Sequence, residues 1–152
     1  FFGVQIALAA GATVYVSELN ESRWTLASEL GVKAVSKDIR DFESEELDLI
    51  IDFAGADGTL GSAIDAVRHG GRIVEVGLGT ETTSVSIPNI TMKEVRIVGA
   101  SNGTKEEARA ILALIAEGSV RPKTEQITFD DIPAGLHRLK EGAADARLIA
   151  VY

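Results

Sequence analysis

The sequence predicts an α/β fold in which helices flank a doubly wound parallel sheet, and three features carry that prediction. Short runs rich in β-branched residues alternate with helical patterns of about ten residues along the whole chain. One of these runs, LDLIIDFAG, is apolar on both faces, as expected of a central strand with helices on both sides. Glycines and short polar residues sit where helices start and stop. Parallel neighbours need a long crossover, and each predicted helix supplies one.

Taken in order, Val4, Leu8 and Ala9 mark the inner side of an opening helix, with Gln5 opposite and Gly11 closing it. ATVYVSE then reads as a strand ending at Glu18. Asn20 is a good N-cap for a helix that places Trp24, Ala27 and Leu30 on one face and stops at Gly31. VKAVS is a short strand. The acidic stretch DFESEELD, Asp41 to Asp48, lacks the ligand spacing and turn glycine of a calcium loop and reads as a solvated loop. After the central run, Asp57 is expected to cap a helix that passes through Leu60, Ile64 and Val67 to the HGG at 69–71, and RIVEVGLG is the next strand. SVSIPNITMKE is a connecting excursion with a short helical turn, and VRIVGAS a further strand. Thr104 and Glu107 have the spacing of a capping box, before a helix with an expected inner face of Ala108, Ile111, Leu112 and Ile115 and an end at Gly118. The tail holds a strand near EQITF, a helix from Asp131 to Glu141 with Pro133 in its first turn, and a last strand, ARLIAVY. No repeat or linker divides the chain, so residues 1–152 read as one domain.

Composition narrows the function. A net charge of −8 and a pI of about 4.8, without any local cluster of Lys or Arg, oppose binding to nucleic acid or an anionic membrane surface. No apolar run approaches the roughly 18 residues of a membrane span. With no cysteine and no basic segment before an apolar stretch at the N-terminus, a reducing cytoplasm is the expected setting.

The opening helix and strand look like the second half of a dinucleotide-binding unit. In such a unit a strand leads into a G-x-G-x-x-G loop, whose backbone approaches a pyrophosphate at a helix N-terminus. An acid about 20 residues on accepts bonds from the ribose hydroxyls. Glu18 stands at the end of the second strand, where that acid belongs, and counting back puts the last loop glycine just before Phe1. The first strand and the phosphate-binding loop are therefore expected to be absent from this stretch, which reads as a piece of a longer enzyme. In the strand order 3-2-1-4-5-6, strand 1 is central, so the strands ending near Glu18 and Asp52 should flank an unfilled slot. A carboxylate at Glu18 also repels a 2′-phosphate: at about 4 Å the repulsion is about 1 kcal/mol in water and about 4 kcal/mol at a dielectric near 20. NAD is thus expected over NADP.

VQIALAAGATVYVSELNESR, LDLIIDFAGADGTLGSAIDAVRHGGRIVEVGLG, VRIVGASNGTKEEARAILALIAEGSVRP and GAADARLIAVY, in this order and spacing, resemble the C-terminal coenzyme domain of the medium-chain dehydrogenase/reductases. They are most similar to the zinc-dependent alcohol dehydrogenase branch. The resemblance implies a Rossmann-type domain and a set of coenzyme-binding positions. Glu18 matches the ribose-binding acid, and Arg23 a basic residue near the adenosine. Ala54 and Gly55 match the turn that lines the coenzyme cleft. Val76, Gly77 and Leu78 match the segment whose backbone meets the nicotinamide, and Ser101 and Asn102 the turn bordering it. Arg147 matches a basic residue near the pyrophosphate. Ordinary turn glycines and surface arginines would leave the same marks at Gly55, Gly77, Arg23 and Arg147. The family's zinc ligands belong to a preceding domain; nothing here matches them, and His69 and His137 make a poor metal pair, so no catalytic or metal residue is expected in this stretch.

In the whole enzyme the resemblance implies hydride transfer between NAD and an alcohol/carbonyl pair, with zinc only in the other domain and this segment inactive alone. It also implies a homodimer through the Val95–Ser101 edge strand. Two alternatives stay open: a segment of a zinc-free quinone or enone reductase of the same superfamily, and a non-catalytic nucleotide-binding or dimerisation module.

Overall fold

The computed structural model describes residues 1–144 and 146–152, so Asp145 of the terminal stretch lies outside the described residues. In chain order the elements are α1 (Phe2–Ala9), β1 (Tyr15–Ser17), α2 (Trp24–Glu29), β2 (Ala34–Ser36), β3 (Leu47–Asp52), α3 (Thr59–Ala66), β4 (Val67–Glu75), α4 (Ile87–Met92), β5 (Arg96–Gly99), α5 (Lys105–Ala116), β6 (Thr124–Thr128), α6 (Ile132–Lys140) and β7 (Arg147–Val151). Every ladder is parallel, as the alternation of strands and helices requires. The strands form three sets, β1-β2, β3-β4-β5 and β6-β7, and among the described residues no ladder joins β1 to β3. That is the position at which the sequence predicts an interrupted sheet.

The core lies between the β3-β4 pair and α3. Ile50, Ala63, Ile64, Ala66, Val67 and Ile73 are buried together, with Leu60, Ile90 and Val95 packed at their margin. Full burial of an isoleucine such as Ile64 or Ile73 contributes roughly 1.5–3 kcal/mol each, so this cluster holds the register that aligns the strand ends.

Several expectations are corrected. The β3 strand is not covered on both faces: Ile50 and Asp52 are buried toward α3, whereas Leu49 and Ile51 are 50% and 40% exposed. An apolar composition on both faces tells what a strand can bury, not what lies against it. The helix before HGG stops at Ala66, because Val67 is extended and pairs with Leu47 as the first residue of β4. Register then jumps to Leu49 opposite Arg72, so HGG belongs to a bulge within the strand, with Gly70 at φ +69°. Asp57 does not cap α3; Gly58 does, and the Asp57 carboxylate instead accepts the Thr83 hydroxyl at 3.0 Å. The acidic stretch is not a loop: residues Ile39–Glu45 form a 3-10 helix that buries Phe42 against the Tyr15 ring, 5.0 Å away. Ala108 and Leu112 face outward, and α5 turns Leu114 inward beside Ile111 and Ile115, which face inward as expected.

The other helix signals stand. Thr104 and Glu107 close the capping box reciprocally, and Gly11, Gly31 and Gly118 follow their helices at positive φ. Asn20 caps a 3-10 turn, Glu21–Arg23, that runs directly into α2.

Candidate functional site

Glu18 follows β1, and its amide extends the ladder by donating to the Ser36 carbonyl at 2.9 Å. Its carboxylate accepts the Asn20 amide at 2.9 Å, and its carbonyl accepts Trp24 Nε1 at 2.8 Å. The turn led by Asn20 brings the Arg23 guanidinium to 3.6 Å from the other carboxylate oxygen. The two predicted residues are thus an ion pair, with side chains 24% and 33% exposed, so the carboxylate still has solvent-facing capacity for hydroxyl donors.

The first turn of α1 meets the start of β7 and the residue after β3. The Arg147 guanidinium lies 5.8 Å from the centre of the Phe2 ring. Next to Phe2, a Cβ at Gly3 would meet the tip of the Phe53 ring at 2.7 Å, so α1 packs directly on the residue after β3. Gln5 then fixes the helix to the segment before β6, accepting the Arg121 amide at 2.7 Å.

Asp52, the last residue of β3, organises the second group of predicted residues. Its carbonyl accepts the amides of Val76 at 2.9 Å and Gly77 at 3.0 Å. One carboxylate oxygen accepts the amides of Ala54 at 2.8 Å and Gly55 at 2.9 Å, and the other the Thr59 hydroxyl. One residue therefore binds both turns, and they meet backbone to backbone. A Cβ on Gly55 would lie 2.3 Å from the Gly77 carbonyl carbon, and one on Gly77 would lie 2.3 Å from the Ala54 carbonyl carbon. Gly55 also adopts φ +54°. The turn glycines are required here by contact and not merely tolerated.

Leu78 stands almost wholly in solvent at 96% exposure, and Val76 is 37% exposed. Past β5, the Ala100 amide donates to the Glu75 carbonyl at 2.9 Å, which sets Ser101 and Asn102 beside the end of β4. Asn102 has φ +59°, and its amide donates to the Ser101 hydroxyl at 3.3 Å. Glu18, Ala54, Gly55, Val76, Gly77, Leu78, Ser101 and Asn102 thus all follow the carboxyl ends of their strands, where open parallel sheets bind ligands. Arg147 is placed differently, at the start of β7, against Phe2 in the first turn of α1. His69 is exposed in the β4 bulge, and His137 lies 3.3 Å from the Glu141 carboxylate on α6, so neither faces these turns.

Sequence reasoning passed over Asp52, Thr59 and Glu75. The signal for Asp52 was available: an acid closing an apolar strand immediately before Ala-Gly is the setting in which a side chain bonds the amides two and three residues on. Glu75 carried no such signal. Burial raises the Glu75 carboxyl above the ordinary carboxylate range, and the nearby Asp52 charge raises it further.

Parallel ladders, an acid at the end of β1 and two side-chain-free turns at the ends of β3 and β4 define the chain as a Rossmann-type α/β domain of the dinucleotide-binding class. It belongs to the zinc-binding dehydrogenase family, whose profile matches residues 1–117. Among solved structures it is similar to the acetophenone reductase of Geotrichum candidum in complex with NAD. That similarity is 29% identity and a TM-score of 0.89 over 98% of this chain and 44% of that one. The alcohol dehydrogenase of Aeropyrum pernix is 25% identical, with a TM-score of 0.85 over 99% of this chain and 46% of that one. A crotonyl-CoA carboxylase/reductase in complex with NADP shares the fold at 16% identity, with a TM-score of 0.85 over 97% of this chain and 45% of that one. The chain thus spans less than half the length of each of these structures.

Proposed function

We propose that this chain is the coenzyme-binding segment of an NAD-dependent alcohol or polyol dehydrogenase. The observation that carries the reading is Glu18, a part-exposed carboxylate at the end of β1, held by Asn20 and Arg23. The residues fit a nicotinamide dinucleotide in two respects: an acid able to accept two ribose hydroxyls, and a pair of turns at Gly55 and Gly77 whose backbones leave no space for a Cβ. When bound, NAD supplies the hydride acceptor for an alcohol, or as NADH the donor for a carbonyl. The chain's own share is positioning. Glu18 would accept the ribose hydroxyls, with Arg23 keeping its charge in place. Ala54, Gly55, Val76, Gly77 and Leu78 would line the cleft toward the nicotinamide, bordered by Ser101 and Asn102, and Arg147 would lie toward the pyrophosphate. Among the described residues no group of three or more His, Cys, Asp or Glu side chains is placed to hold a metal ion.

The acid at Glu18 supports NAD over NADP, and with it the alcohol dehydrogenase reading over the quinone or enone reductase reading. Among the described residues β5 pairs only with β4 and is exposed along its length, which supports a homodimer through the Val95–Ser101 strand. No helix of the described residues is long and apolar enough to cross a membrane, and the acidic, cysteine-free composition suits a reducing cytoplasm. The test is titration with NADH and NADPH followed by nicotinamide fluorescence. Saturable NADH binding that weakens in Glu18→Ala, with NADPH bound less tightly by the unmodified chain, is the expected result. Equal affinity for both coenzymes, unchanged in Glu18→Ala, would refute the reading.

A further inference from the structure

Glu75 closes β4 and stands opposite Asp52 in the parallel register. Cross-strand partners project from the same face, here the one toward α3, whose Thr59 hydroxyl bonds the Asp52 carboxylate. Asp52 has three donors on its two oxygens. Glu75 lacks this support: its Oε1 is buried without a hydrogen-bond partner, an unfavourable place for an ionised oxygen. Among the described residues the lining of this place offers no cation in compensation. The β3 strand presents Asp52, and α3 presents Thr59 and Leu60. The loop after β4 presents Glu81 and the hydroxyls of Thr80 and Thr83 around a shallow cavity of about 100 Å³, and β5 places Gly99 opposite.

The backbone connects this pair of acids directly to the two turns. The amides of Val76 and Gly77, immediately after Glu75, bond the Asp52 carbonyl, while the Asp52 carboxylate holds Ala54 and Gly55. We propose that Glu75 is a protonation-dependent positioning residue for the paired turns at Gly55 and Gly77. With a proton on Glu75, Asp52 is the sole anion of the pair and keeps its amide donors. When Glu75 ionises, two like charges face each other in a poorly solvated place, and the contact between the turns loosens. The acid's raised pKa gives the sign: the closed arrangement is fully favoured below the ordinary carboxylate range and is lost as pH rises through the higher folded-state value. That these turns hold a coenzyme rests on the function proposed above. The phosphates of NADH would add negative charge to the same cleft, so binding and protonation of Glu75 should favour each other.

The experiment follows the full chain, Glu75→Gln and Glu75→Asp from about pH 5 to about pH 9, across and above the carboxylate range. It reads the urea unfolding midpoint, the dissociation constant for NADH and, in the unsubstituted chain, the carbon chemical shift of the Glu75 carboxyl. The expected result is a carboxyl titration above the ordinary range, a fall in the urea midpoint over the same step, and a loss of NADH affinity of about tenfold. Glu75→Gln should remove both steps and Glu75→Asp restore them. Superimposable pH profiles for the unsubstituted chain and Glu75→Gln would overturn the proposal, as would a Glu75 carboxyl titrating at or below the ordinary value. A urea step abolished by Glu75→Gln, with no NADH binding at any pH, would support the role of Glu75 on the turns and refute the coenzyme reading instead.

Discussion

Gly55→Ala tests the backbone contact on which the proposed cleft depends. The substitution has two effects. Alanine at φ +54° costs about 1–2 kcal/mol against its preferred conformations. The new methyl also lies 2.3 Å from the Gly77 carbonyl carbon and oxygen, whereas ordinary contact begins at 3.4 Å, and main chain cannot rotate away as a side-chain tip can. The turns must separate by about 1 Å, at a cost typical of overpacking, about 1–3 kcal/mol. The bond from the Thr80 amide to the Gly55 carbonyl, now 2.9 Å, would lengthen with them at about 1 kcal/mol more. A total of about 3–6 kcal/mol is expected. Gly11→Ala is the control, since Gly11 has φ +81° and nothing within 4 Å of its Cβ, so only the conformational cost of about 1–2 kcal/mol remains. The assay is urea unfolding of both variants at one pH, with m-values compared to show that the unfolded states match. Equal destabilisation of the two variants would refute the claim that the turns are in rigid backbone contact.

Three further outcomes are expected. Lys93→Met should cost about 2 kcal/mol in urea unfolding, because the Lys93 ammonium donates to the carbonyls of Ile64, Asp65 and Val67 where α3 ends. That loss should persist at high salt, since Glu43 is only a distant partner at 4.0 Å. Thr104→Ala removes the capping box of α5 and should cost about 1 kcal/mol, read as faster amide hydrogen exchange in the first turn of that helix. Arg138 grips Glu125 with two bonds of 2.7 and 2.9 Å and holds that carboxyl below its ordinary pKa. The stabilisation this lends the β6-α6 unit is present above the ordinary carboxylate pKa and lost as pH falls through the lowered value, so Glu125→Gln should show a smaller acid-induced loss than the unsubstituted chain.

The sequence by itself determined the fold class, the order of the elements and the helix stops at Gly11, Gly31 and Gly118. These depend on local propensity, on periodicity and on the freedom of glycine at positive φ, all of which are written in short windows of the chain. It also located the strand ends that carry Glu18, Gly55, Gly77 and Ser101, because a β-to-α boundary is a local event. Only the tertiary structure decided that Val67 leaves the helix to pair with Leu47, that Leu112 turns outward and Leu114 inward, and that Glu18 and Arg23 form an ion pair. The bonds from the Asp52 carbonyl to the second turn, and the place of Glu75 opposite Asp52, lie equally beyond any local pattern. Residues 52 and 75 are brought opposite each other by strand register, a property of two segments packed together, and the burial that perturbs Glu75 comes from a third, α3 and the loop beside it.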